Sequence, residues 1–194
     1  LELVPPAWKT LVAGITAGKY PMTGSSSVSP ARAKATGYSD SYFSLATVPL
    51  TLKSNADKYK DWEDLNKADV RVAATLGTTQ EKQVKQYFPD AKHVIVEAPA
   101  QPFQQVLSGR ADAHITSNVE ANKLVAIHSD LMIVPVSAPK SPTPIAMLLP
   151  QADQVWINYV NTWIKLKQES PVRSTRWLAT SPSRCLRSPK PRKR

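Results

Sequence analysis

Apolar and polar positions along this chain switch repeatedly between the period of a strand and the period of a helix, and that switching predicts an α/β protein. Leu3-Val4 reads as the end of a strand. Trp8, Leu11, Val12 and Ile15 then recur at helical spacing, with Gly18 placed to end the helix. After a hydroxyl-rich stretch, residues 30–36 read as a short helix and residues 42–52 as an extended segment rich in β-formers. Residues 57–67 read as an exposed helix, 70–74 as a buried strand, and 82–88 as a helix opened by the threonines of Thr75-Leu-Gly-Thr-Thr-Gln-Glu81. The alternation continues with strands at 93–97, 111–116 and 132–136, and helices at 102–108, stopped by Gly109, and at 119–127. Five prolines between 135 and 150 mark an extended connection with one strand at 145–149. Residues 155–167 are the clearest helix, because Trp156, Tyr159, Val160, Trp163 and Ile164 share one face. Strands separated by helices predict largely parallel sheets.

With 194 residues and 42% hydrophobic content, the chain has enough material for a core. Its formal charge of +10 is unevenly placed: residues 170–194 hold eight Lys and Arg and no acid, leaving +2 on the remainder. A near-neutral body with a basic, Pro- and Ser-rich end argues against nucleic-acid binding, which needs its charge on a structured face. The tail is expected to be disordered. Cys185 is the single cysteine, and His93, His114 and His128 lack ligand spacing, so no metal site and no cofactor is expected. No apolar run reaches the roughly 18 to 20 residues of a membrane span. The start of the chain does not read as a signal peptide.

Two places carry candidate chemistry. Residues 25–42 put Ser25, Ser27 and loop amides just ahead of Arg32, whose planar guanidinium can fork onto a carboxylate. The same residues also read as a plain helix start, with Ser29 as N-cap and Pro30 at the first helical position. The turn at Thr78 and Thr79 is the second, since free amides at a strand-to-helix turn can meet an anion.

Thr16-Ala-Gly-Lys-Tyr, Ser27-Val-Ser-Pro-Ala-Arg32-Ala-Lys, Tyr38-Ser-Asp-Ser-Tyr42, Gly77-Thr-Thr-Gln-Glu81, Gly109-Arg-Ala-Asp-Ala113 and Trp163-Ile-Lys-Leu-Lys occur in an order and at separations that resemble the bacterial extracellular solute-binding proteins of family 3. The resemblance covers about residues 2–169. It implies a periplasmic-binding-protein-like type II α/β fold, two lobes closing on a ligand, and a periplasmic partner of ABC importer membrane subunits. The lobes are expected at 1–50, incomplete and completed by 141–169, and at 51–140. Carried over residue by residue, Arg32 would pair with the carboxylate of a small carboxylate or amino-acid-like ligand, helped by Ser25 and Ser27, while Thr78 and Thr79 donate from the other lobe.

Three departures accompany the match. Ser117 stands where amino-acid-binding members carry an Asp for the ligand's ammonium group, and a neutral hydroxyl offsets a buried cation poorly. Lys19-Tyr20-Pro21-Met22 is one residue short where the family places an Asp. The family's first strand and helix are expected to precede Leu1. Within the family, Val4-Pro-Pro-Ala-Trp8 and Ile115-Thr-Ser-Asn-Val-Glu120-Ala resemble the cyclohexadienyl dehydratase branch, where the glutamate matching Glu120 acts as general acid. Glu120 reads first as a first-turn glutamate favourable to its helix, and Trp8 as core packing or as a ligand platform. The resemblance therefore leaves three expectations: a binding protein for import, a prephenate/arogenate dehydratase-like lyase, or a fragment that does neither.

Overall fold

The computed structural model describes residues 2–5, 7–169 and 185–186. Along the chain, strand β1 (Leu3–Val4) leads through a 3-10 turn (Trp8–Thr10) into helix α1 (Leu11–Thr16). Gly18 follows with φ of 68°, the left-handed conformation that ends a helix without Cβ strain, which accounts for the glycine of Thr16-Ala-Gly-Lys-Tyr. Next come β2 (Met22–Thr23), β3 (Ser26–Ser27), helix α2 (Pro30–Ala33), β4 (Gly37–Tyr38) and the long β5 (Phe43–Leu52). Then follow α3 (Trp62–Leu65), β6 (Arg71–Thr75), α4 (Thr79–Tyr87), β7 (Lys92–Val96), α5 (Pro102–Leu107), β8 (Ala113–Ser117), α6 (Asn118–Ile127) and β9 (Leu131–Ile133). The chain returns through β10 (Lys140–Ala146) and β11 (Leu148–Leu149) to α7 (Gln154–Glu169), and Cys185–Leu186 form β12.

The chain divides into two units, one of Leu1–Ser44 with Pro144–Arg194 and one of Leu45–Thr143. The divisions fall inside β5 and β10, a few residues from the 50/51 and 140/141 boundaries read from sequence, because each crossing strand belongs to both units.

In the continuous unit, β6 pairs parallel with β7 and β8, and β5 pairs antiparallel with β8 and β9. The sheet is mixed, which corrects the largely parallel expectation. A strand that enters from elsewhere, as β5 does, is not bound by the right-handed crossover that fixes neighbouring βαβ strands in parallel. Tyr59, Trp62, Leu65, Val72, Val84, Phe88 and Ile115 fill one face, and Leu50, Ala73, Val106, Leu124 and Leu131 the other. Burying such side chains stabilises by about 1.5–3 kcal/mol each. Asp112 closes the bottom of the sheet. Its carboxylate accepts the Arg71 main-chain N-H at 2.8 Å and two guanidinium nitrogens at 3.0 and 3.1 Å, tying β6 to the turn that enters β8. Gly109, with φ of 69°, makes the turn before it. Residues 57–67 shrink from an expected long helix to α3, because Asp61 and Asp64 form a capping box that starts the helix only at Trp62.

In the discontinuous unit, Leu11, Ile15, Tyr20 and Leu148 form one cluster, and Met22, Met147, Leu149, Ile157, Val160 and Ile164 another, the latter under the apolar face of α7. The stretch Tyr38-Ser-Asp-Ser-Tyr42 is stitched to the returning chain. Ser39 N-H donates to the Met147 carbonyl, Ser39 Oγ accepts the Met147 N-H, and Tyr42 N-H donates to the Ile145 carbonyl. Strand β12 pairs antiparallel with both β1 and β2, so Leu186 lies opposite Leu3 and Met22, and Cys185 opposite Val4 and Thr23. The tail was expected to carry no structure. Cys185–Leu186 are the described part of that tail, and residues 170–184 and 187–194, on which the rest of the expectation falls, lie outside the described residues.

Candidate functional site

The first candidate set lies in the discontinuous unit. Helix α2 begins as the serine and proline predict: Ser29 is extended, its Oγ accepts the Arg32 N-H at 3.4 Å, and Pro30 occupies the first turn. This short helix carries Arg32 back over β3, so the capped helix and the half-buried arginine are one arrangement. Arg32 Nη1 donates to Ser26 Oγ at 2.8 Å and to the Ser27 carbonyl at 3.1 Å. The Trp8 ring centroid lies 6.0 Å from the guanidinium carbon, within cation–π range. Burial pulls the Arg32 pKa down, opposed by the neighbouring Tyr38 hydroxyl. Tyr38 donates to the Ser27 carbonyl at 3.0 Å and accepts the Ser29 N-H at 3.3 Å, so one phenol braces both the strand and the helix start.

Trp8 therefore reaches Arg32 while also packing against the cluster of Leu11, Ile15, Tyr20 and Leu148. Ser27 meets Arg32 through its main-chain carbonyl. Ser25 bonds to the Tyr42 hydroxyl, whose pKa burial raises, and Tyr42 in turn donates to the Gly24 carbonyl at 2.8 Å. The sequence reading missed Ser26, Tyr38 and Tyr42. Alternation along an extended segment carried the only signal: Ser25 and Ser27 share one side, which puts Ser26 on the other, buried side.

The second set lies in the continuous unit. Thr78 caps α4: its Oγ1 accepts the Glu81 N-H at 3.3 Å and donates to the Thr75 carbonyl at 2.6 Å. Glu81 reaches back to accept the Gly77 N-H at 2.8 Å and pairs with Lys85, which together hold its carboxyl below the usual range against the opposing effect of burial. Thr79 is the first residue of the helix, and its hydroxyl meets the Gln80 side chain at 3.2 Å. Ser117 ends β8 and caps α6 by accepting the Glu120 N-H at 3.2 Å. The Glu120 carboxylate folds back onto β8, where its Oε2 accepts from the hydroxyl of buried Thr116. Asn118 is engaged elsewhere, its Oδ1 accepting the Ala46 N-H at 3.3 Å. Behind these groups His114 is fully buried, its Nδ1 lacks a hydrogen-bond partner, and desolvation lowers its pKa to about 4 against the pull of Glu120.

Among the described residues no group of three or more His, Cys, Asp or Glu is arranged to hold a metal ion, and no helix is long and apolar enough to cross a membrane. Neutral hydroxyls, main-chain amides and one half-buried guanidinium can bind and orient an anion. Glu120 adds a carboxylate that can accept from a cation or move a proton.

No protein-family model matches the chain. The cyclohexadienyl dehydratase of Pseudomonas aeruginosa is 25% identical over 182 residues, which span 92% of this chain and 68% of that enzyme. The ancestral amino acid-binding protein AncCDT-1, described as a precursor of cyclohexadienyl dehydratase, is 34% identical with a TM-score of 0.79 over 87% of this chain and 72% of its own. A second structure of AncCDT-1, described as a cationic amino acid solute binding protein, superposes with a TM-score of 0.64. The fold is shared further with the amino acid ABC transporter substrate-binding protein AbpA of Streptococcus pneumoniae, at 23% identity and a TM-score of 0.80 over 87% of this chain and 71% of that one. The half-buried Arg32, the threonine turn and the two α/β units thus sit in a chain that belongs to the family 3 type of solute-binding proteins.

Proposed function

We propose that this protein captures a small carboxylate or amino-acid-like ligand in the periplasm and presents it to the membrane subunits of an ABC importer. The observation that carries this reading is the Arg32 guanidinium, half-buried beside Trp8 and braced by Ser26 and the Ser27 carbonyl. An arginine held in this way has lost much of its side-chain freedom before a ligand arrives, so less entropy is spent on binding. Its forked geometry then suits a carboxylate. Thr78 and Thr79 form the second anion-directed set. Thr78 Oγ1 caps the helix and donates to the Thr75 carbonyl, so of the two the Thr79 hydroxyl, now meeting the Gln80 side chain, is the one we assign to the ligand. The name of the 34%-identical ancestor, an amino acid-binding protein, supports the ligand class. Thermal-shift and calorimetric titration with amino acids and keto acids test it: saturable binding that raises the melting temperature, and disappears in Arg32→Ala, is expected. Binding that survives Arg32→Ala unchanged would refute it.

A second reading is favoured by one observation, the Glu120 carboxylate fixed at the start of α6, together with the dehydratase relative. A glutamate there can protonate a departing hydroxyl as prephenate or arogenate loses water and carbon dioxide. Incubation with prephenate and arogenate, with phenylpyruvate and phenylalanine as products and Glu120→Gln as control, tests it. Absence of product at every substrate concentration would sink this reading and leave binding intact. A chain that neither binds nor turns over any of these compounds would act as a fragment.

A further inference from the structure

We propose that the Tyr38 hydroxyl is a positioning and specificity-determining group for the anion end of the ligand: it fixes the carbonyl that sets the plane of Arg32, and so favours a planar carboxylate over a tetrahedral oxyanion. The inference rests on the reading of Arg32 as the ligand's carboxylate partner. Every residue it uses lies in the discontinuous unit. Both N-H bonds of a guanidinium Nη lie in the plane of the group, so two fixed acceptors on one Nη define that plane. Arg32 Nη1 has them, Ser26 Oγ at 2.8 Å and the Ser27 carbonyl at 3.1 Å.

Each acceptor is held in its own way. Ser26 is buried on β3, where it lies opposite Ala146 of β10. The Ser27 carbonyl takes a second hydrogen bond from the Tyr38 hydroxyl at 3.0 Å, and the same phenolic oxygen accepts the Ser29 N-H at 3.3 Å. The phenol thereby links the end of β3 to the cap of the helix that carries Arg32. Its ring has little freedom: Tyr38 pairs with Leu148 across β4 and β11, and it packs against the cluster of Leu11, Ile15, Tyr20 and Leu148. The phenol also lies close enough to the guanidinium to favour its charge against the effect of burial. Without the hydroxyl, the Ser27 carbonyl is free to tilt and the Ser29 amide loses its acceptor, while the packing of the ring stays as it is. A carboxylate meets a held guanidinium with both oxygens in one plane, whereas a phosphonate puts at least one oxygen out of it. A plane that can rock penalises the phosphonate less.

Calorimetry on the full chain would compare L-arginine, L-leucine, L-phenylalanine and L-glutamate with the aminophosphonates that replace each α-carboxylate. The wild type is expected to prefer at least one amino acid over its phosphonate. Tyr38→Phe, folded by its melting curve, is expected to reduce that preference about three- to tenfold, the worth of one hydrogen bond. Comparing the ratio between the two proteins cancels the phosphonate's different charge. A merely structural phenol would weaken both ligands of a pair alike. Equal weakening, or an unchanged ratio, with binding still lost in Arg32→Ala, overturns the role of Tyr38 and leaves the solute-binding reading standing. A second readout needs no ligand: nitrogen NMR of the guanidinium, assigned with Arg32→Lys, is expected to show slow rotation of the Arg32 Nη groups in the wild type and averaged signals in Tyr38→Phe. Equal rotation in both proteins overturns the brace whatever the ligand. Amino-acid binding that survives Arg32→Ala, or no binding by any of these compounds, overturns the carboxylate reading and the selectivity with it.

Discussion

Arg32 Nη1 lies 2.8 Å from Ser26 Oγ, joining a guanidinium on the four-residue helix α2 to a buried hydroxyl on β3. A side chain on so short a helix would sweep a wide volume without such a brace. Ser26→Ala is therefore expected to weaken carboxylate binding about three- to tenfold, matching roughly 1 kcal/mol for one hydrogen bond. Arg32→Ala is expected to cost about ten- to a hundredfold, and Arg32→Lys to recover little, because an ammonium cannot serve Ser26, the Ser27 carbonyl and a ligand in one plane. Titration calorimetry of the three variants reads these differences.

Thr78 and Thr79 are neighbours with separate expected roles. Thr78→Val removes the cap of α4 and is expected to lower stability by about 1 kcal/mol, seen in denaturant unfolding. Thr79→Val keeps the cap, so its effect is expected in ligand affinity with the melting temperature almost unchanged. The opposite assignment of the two effects would show that Thr79 is structural.

How much of this was legible in the sequence differs by element. The spans of β6, β7, α5, α6 and α7 agree with the hydrophobic periods within one or two residues, since each buries one continuous face. Residues 57–67 misled because Tyr59 and Trp62 are core residues at helical spacing, although the chain around Tyr59 is a turn; the capping carboxylates of Asp61 and Asp64 decide where the helix begins. Strand direction is a property of the crossings, which no local pattern encodes. At the site, Arg32 and the Ser29 cap were readable from residue type and spacing. Ser26, Tyr38 and Thr116 were not, because a buried hydroxyl in a strand looks like any other until its partner is placed beside it.

His114 gives the fold a pH dependence of its own. Its pKa of about 4 lies below the ordinary value of 6.5, so between those limits the unfolded chain takes up a proton that the folded chain refuses. Stability is expected to fall as pH drops from about 6.5 to about 4, by about 3 kcal/mol, with no further loss from this residue below that. The carboxyls of Asp61, Asp64 and Asp112, held low by main-chain hydrogen bonds or by Arg71, act in a lower window: what they add is lost as pH falls below about 4. Chemical denaturation across pH 4 to 7 with His114→Gln is expected to show a flatter profile than wild type. An unchanged slope would assign the acid sensitivity elsewhere.

Asp112 accounts for the acid in Gly109-Arg-Ala-Asp-Ala113. Replacing it with Ala leaves the Arg71 N-H and two guanidinium bonds without their acceptor, while the partial exposure of Arg71 lets water screen the charge. Asp112→Ala is expected to destabilise the chain by about 2 kcal/mol, and Asp112→Asn by less, since an amide oxygen still accepts the main-chain bond. Urea unfolding with both variants distinguishes them.

The placement of β12 has a consequence for the order of assembly. The segment from 45 to 143 can close its sheet from contacts within itself, as soon as those residues leave the ribosome. Among the described residues, Leu3–Val4 and Met22–Thr23 are joined through Cys185–Leu186, a loop closure of more than 160 residues. Strands β1 and β2 are thus bridged by a segment more than 160 residues further along the chain, which makes this small sheet a set of non-local contacts whose closure comes late in folding.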